Sequence, residues 1–217
     1  MLYNLLMDKL FNPNNPVMIL LSRIFDLIAL NVCFVIACIP VFTIGPALTA
    51  LYAVALRMAE GEFGDTIRVF SASFRKNFRQ AVILWIPAAL AAAFLSADLY
   101  IIFNYLPSKF LLLQIPVWLL LFLDVSVIIY AFPMLAGYEQ TSLMLVKNSL
   151  LLSIGNIPLT VFIVVILGII ADLSLHNGSL LVFFFSIFLF IGCALLARLF
   201  AVFFRRIFLK ISGVESD

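Results

Sequence analysis

Four carboxylates stand inside apolar stretches of this sequence, and their placement invites chemistry more than that of any other residues. Asp124 lies near the centre of the run Phe110–Ala136. Asp98 falls in the last third of Ala81–Phe103, Asp172 near the end of Ile157–Leu175, and Asp26 in the first half of Val17–Pro40. A carboxylate in a lipid core costs several kcal/mol unless it is paired, protonated or wetted, so such groups turn towards a bundle interior. Asp124 is therefore the leading candidate for a substrate- or ion-facing group, with Asp98 above it if their spans adjoin. The alternative is a structural carboxylate bonded to Ser, Tyr or Asn of a neighbouring helix. Arg23, three residues before Asp26, shares its helix face and can pair with it.

A second candidate is the break Pro40-Val-Phe-Thr-Ile-Gly-Pro-Ala47. Gly45 permits unusual backbone angles, Pro46 suits a first helical position, and Thr43 can cap the helix that follows. From Pro46 to Ala59 that helix rises only about 21 Å, less than the ~30 Å hydrocarbon core. Its N-terminus is thus a candidate for a buried, partly positive end facing an anionic group, as in broken-helix transporters. The plainer reading is a tight turn at the interface.

A third candidate is the segment from Phe63 to Ala81. Phe63, Ile67, Phe70, Phe74 and Phe78 recur at helical spacing, and Arg68, Arg75 and Arg79 share another face with Lys76 beside it. Asp65 can cap its start. An aromatic face opposite a cationic one predicts a helix lying in the headgroup plane, held by anionic lipid. The sharper alternative is a docking elbow for a partner such as an ATPase subunit.

Catalytic and metal constellations are not expected. The single histidine, His176, falls in a short turn, and Cys33, Cys38 and Cys193 are scattered through apolar runs where packing explains them. There is no Gly-x-x-x-x-Gly-Lys loop, so no nucleotide cofactor is expected on this chain. Trp85, Trp118 and Tyr130 lie well inside apolar runs and are read as packing and lipid contacts.

The elements that hold these residues follow from composition. Of 217 residues, 65% are hydrophobic and 11% charged, against about 25% charged in a soluble domain. Too little charge remains to coat a water-facing surface, so the chain reads as an all-α polytopic membrane bundle with the lipid bilayer as its partner. Six runs, 17–40, 43–59, 81–103, 110–136, 157–175 and 179–204, are long enough to span, the second only just. Short links pair them into three hairpins within a single membrane domain, and elbows 61–80 and 137–156 join the hairpins. Each elbow carries an acidic residue, a Thr and a Lys-Asn pair, and each precedes a span with an early proline (Pro87, Pro158), which suggests a weak two-copy repeat. Met1–Phe11 is expected to form an interfacial helix, and the run from Val17 is too long for a signal peptide.

Basic residues set the orientation. With both termini and both elbows on one side, twelve Lys and Arg lie there and only Lys109 opposite, so both termini are expected in the cytoplasm. A net charge of +2 offers nothing to attract nucleic acid. Oligomeric state is not legible.

The stretch Phe42-Thr-Ile-Gly-Pro-Ala-Leu-Thr-Ala-Leu-Tyr-Ala-Val-Ala-Leu56 resembles the signature of the YesL family of bacterial integral membrane proteins. Leu21-Ser-Arg-Ile-Phe-Asp-Leu-Ile28 and Ser73-Phe-Arg-Lys-Asn-Phe-Arg-Gln-Ala81 are similar to it as well, and the likeness runs from about Asn12 to Pro87. Members of that family are commonly encoded beside sugar-uptake and polysaccharide-degradation genes in Gram-positive bacteria. The resemblance implies a non-enzymatic accessory or scaffold component in the bacterial cytoplasmic membrane, working with a sugar transporter subunit or its ATPase. It supplies no catalytic residues. The second elbow lacks the Glu-Ala-Ala coupling motif of sugar-transporter permeases, which argues against the chain being such a permease. The other reading is an autonomous small transporter or channel, with a site near Asp124 and the helix start at Pro46.

Overall fold

A computed structural model describes residues 15–107, 112–176, 178, 182 and 192–212. The described chain is helical throughout: α1 Pro16–Ala37, α2 Ile44–Ala59, α3 Thr66–Tyr105, α4 Gln114–Gly137, α5 Ser142–Gly155, α6 Ile157–His176 and α7 Cys193–Ser212. The expected helix at Met1–Phe11 and the start of the expected 179–204 span lie outside the described residues. Four helices, α1, α3, α4 and α2 with the turn before it, are long and apolar enough to cross a membrane. The bent pair α5–α6 makes a fifth if counted as one span, and Cys193–Phe204 is a shorter apolar helix. The chain is a multi-pass membrane helix bundle.

α2 is its axis. α1, α3, α4 and α7 all pack on it, and small residues make that possible. Ala47, Ala50 and Ala55 are fully buried on α2, facing a set that includes Ala194 and Ala201 of α7. Small side chains let helix backbones approach where lipid gives no hydrophobic drive to associate. A core of Leu27, Leu30, Leu51, Val54, Met58 and Phe70 fills the space between α1, α2, α3 and α7. A second core joins Ala81, Tyr130, Phe132, Leu135, Leu145 and Phe204. The Phe204 ring links the two, meeting Tyr52 and Tyr130 edge-on at centroid distances of 6.0 and 5.5 Å.

The two elbows differ. α3 is one continuous helix of 40 residues from Thr66 to Tyr105, so the expected 61–80 elbow is no separate helix in the headgroup plane but the first half of the span that follows. The physical reason is its aromatic face. Phe70 is buried in the first core with Phe63 and Phe74 packed beside it, so that part of the face meets the bundle, while Ile67 and Phe78 stay exposed. Pro87 is accommodated inside the helix. The second elbow does break: α5 turns 96° into α6. Gly155 and Asn156 stand at that corner, with Asn156 at φ −126°, ψ 42°, while the corresponding stretch of α3 holds Leu84 and Trp85. The proline spacing that suggests a repeat therefore falls inside a continuous helix once and beside a corner once.

Three expected caps and pairs are corrected. Thr43 does not cap α2; its hydroxyl donates to the carbonyls of Ala37 and Pro40, both at 2.6 Å, and fastens the turn back to α1. Asp65 does not cap α3, because its backbone is left-handed at φ 52° where a cap residue is extended. Asp26 of α1 instead reaches the turn before α3 from across the bundle, accepting from the Gly64 N–H at 3.1 Å and the Thr66 hydroxyl at 3.0 Å, and so ties that turn to α1 rather than capping the helix. Asp26 is thereby spent on neutral donors, and Arg23 lies over the Phe63 ring instead.

Candidate functional site

The basic residues of α3 converge with the α4–α5 connection at one end of the bundle. Lys76 Nζ meets Glu139 Oε1 at 2.6 Å, and Gln80 Nε2 donates to the Gln140 carbonyl at 2.6 Å. Asn148 of α5 donates to Gln140 Oε1 at 2.9 Å. These bonds fix the connection 138–141 against the first half of α3. On the other flank Arg57, in the last turn of α2, pairs with Glu62 at 2.8 Å. Between them lies a cleft of about 360 Å³ lined by Arg57, Ser73, Lys76, Asn77, Tyr138 and Glu139. It adjoins a broader hollow of about 700 Å³ bordered by Arg79, Gln80, Gln140, Thr141 and Ser142.

The charge balance of this end is uneven. Lys76 is engaged by Glu139, and the ammonium lowers the Glu139 carboxyl pKa below the ordinary glutamate value by hydrogen bond and by charge. Arg68, Arg75 and Arg79 are exposed, and among the described residues none of them has an ion pair. Their spacing of seven and four places them along one stripe of α3. Arg68 also borders a third hollow, about 460 Å³, with Asp26, Asp65, Thr66 and Ser71. What this arrangement can do chemically is present fixed guanidinium groups to an anionic surface or segment.

The other candidates lie elsewhere. Gly45 and Pro46 are buried at the top of α2. A Cβ on Gly45 would stand 2.5 Å from Trp85 Cβ and 2.8 Å from the Ala81 carbonyl oxygen, so this glycine marks a close approach of α2 and α3. Trp85 closes over it, its indole N–H donating to the Val41 carbonyl at 2.8 Å. Asp124 is half-buried on α4, and its Oδ2 is buried with no hydrogen-bond partner among the described residues. Asp98 is half-buried on α3. Neither lines the three clefts of the basic end, and Asp172 lies within α6.

Two features were not anticipated. One is the bridge from Lys76 to Glu139, for which the signal was opposite charge in two elbows assigned to the same side. The other is a buried polar knot at the α5–α6 corner. There Tyr130 and Thr160 share a hydrogen bond of 2.8 Å, and the Thr160 hydroxyl also reaches the carbonyls of Asn156 (3.0 Å) and Ser153 (3.2 Å). Among the described residues no three His, Cys, Asp or Glu side chains gather as metal ligands.

The model of a family described as "Protein of unknown function, DUF624" matches residues 27–99, from the middle of α1 to the far half of α3. The chain is also similar to the "Uncharacterized protein YteU" of Bacillus subtilis (strain 168), at 32% identity over 123 residues. That alignment covers 55% of this chain and 54% of the relative, so the chain spans about half the length of the curated relative it matches. No solved structure matches.

Proposed function

We propose that this chain is a non-enzymatic accessory or scaffold component of a bacterial cytoplasmic membrane, one membrane domain of six spans in three hairpins with both termini inside the cell. The observation that carries the reading is the stripe Arg68, Arg75 and Arg79, exposed and without acidic partners among the described residues, on a helix clamped by Glu139 and Gln140. A rigid, cationic extension of a spanning helix suits docking of an acidic surface, and the positive-inside bias assigns it to the cytoplasm. The link to carbohydrate uptake comes from the YesL resemblance, which makes a sugar transporter subunit or its ATPase the partner of choice. Co-purification with such a transporter tests the reading. Arg68→Ala, Arg75→Ala and Arg79→Ala together should cut recovery at least tenfold, and undiminished recovery would refute the docking role.

Asp124 favours a second reading, an autonomous transporter or channel. Its unpartnered buried oxygen is the kind of group that marks an ion or substrate path, with Asp98 and the helix start at Gly45 and Pro46 as the remaining candidates. Purified protein in liposomes should then move a solute, and Asp124→Asn should abolish the flux. Flux that survives in the variant removes Asp124 from the path.

A further inference from the structure

Phe63 lies in the turn between α2 and α3, and two guanidinium groups from different helices lie against its ring. Arg23 of α1 is 4.8 Å from the ring centroid and Arg198 of α7 is 5.1 Å from it. The two cations are therefore no more than about 10 Å apart. Neither forms an ion pair among the described residues. The obvious counter-charge, Asp26, is turned away to Gly64 and Thr66, and Glu62 is held by Arg57.

The turn itself is fixed. Asp26 grips it from α1, the Arg57–Glu62 pair grips it from α2, and Gly61 and Gly64 take left-handed angles of 88° and 94° that let the chain fold tightly there. The aromatic ring is thus a rigid platform, and stacking on it orients each guanidinium plane while leaving its N–H fork free. Two like charges held together without an anion repel each other. Both stand on apolar helices, Arg23 about 10 Å along α1 from its start, from where a long arginine side chain can reach towards the interface.

We propose that Arg23 and Arg198, braced on Phe63, bind the phosphate of an anionic lipid headgroup that enters between α1 and α7. A phosphate oxyanion accepts from two arginine forks at once, and the cytoplasmic leaflet, where the basic end belongs by the positive-inside bias, is the anionic one. This site is separate from the Arg68–Arg79 stripe and does not depend on the docking role.

The test uses the full chain purified in neutral detergent, with phosphatidylglycerol, phosphatidylcholine or inorganic phosphate added. Phosphatidylglycerol should raise the unfolding temperature by several degrees over phosphatidylcholine, and inorganic phosphate should not. Arg23→Gln or Arg198→Gln should each remove at least half of that shift, while Lys147→Gln, an exposed cation on α5, should keep it. Equal loss in Lys147→Gln would mean bulk surface charge and would overturn the site. So would an equal shift from inorganic phosphate, since a free anion would then suffice. Should the arginine variants fail to fold, native mass spectrometry of the wild-type chain decides. It should retain at least fivefold more phosphatidylglycerol than phosphatidylcholine from an equimolar mixture, and equal retention overturns the proposal.

Discussion

At the scale of single residues, Gly45 leaves no room for a side chain. Any side chain there must displace Trp85 or the α3 backbone, because the nearest atoms are a Cβ and a carbonyl oxygen rather than a flexible tip. Gly45→Ala should therefore cost about 1–3 kcal/mol, the usual price of overpacking a close contact. Thermal unfolding in detergent measures it, and an unchanged midpoint would show that α2 and α3 do not approach as described. Glu139 sets a pH dependence. Its folded pKa lies below the ordinary value because of Lys76. Its contribution is therefore complete above the usual glutamate range and lost as pH falls through the lowered folded value. The pair is exposed, so the contribution is small and salt-sensitive. Protection of the amides at 138–141, taken relative to the intrinsic exchange rate at each pH, should fall as the medium is acidified through that lowered value, and in Glu139→Gln the fall should be absent.

At the scale of elements, lipid imposes a length that apolar runs must meet, and hydropathy alone makes the chain legible as a multi-pass helix bundle, with four helices long and apolar enough to cross among the described residues and a fifth if the bent pair is one span. The first elbow was misjudged for a definite reason. The recurrence of Phe63, Ile67, Phe70, Phe74 and Phe78 describes an apolar face but not what covers it, and the bundle core takes Phe63, Phe70 and Phe74 while Ile67 and Phe78 remain exposed. The tie between α1 and the turn before α3 is equally hidden in the sequence, since Asp26 lies 38 residues from Gly64 and only the fold brings them together. The rod geometry can be measured. Spin labels at Arg75→Cys and Leu90→Cys should lie about 22 Å apart along a straight helix, against about 16 Å if the chain bent sharply at Ala81. The shorter distance would restore the lying elbow.

At the scale of the whole molecule, the basic residues that direct orientation are also the ones that build the candidate site. The stripe on α3, the Lys76–Glu139 bridge and the Phe63 turn all occupy one end, so a single topological choice decides which compartment sees them. Cysteines placed at Gly61 and Gln140 in intact cells should resist a membrane-impermeant thiol reagent, while one at Pro107 should react. Reaction at Gly61 from outside would turn the molecule over and remove any cytoplasmic partner.

The unbroken course of α3 has a mechanical result. A helix of 40 residues extends about 60 Å, and with no joint at Ala81 it acts as a lever. Pro87, which has no backbone N–H to give, sits between its arginine-bearing half and Tyr100 and Asn104. A load taken up at one membrane face thus reaches the other along a single helix whose weakened turn is at that proline.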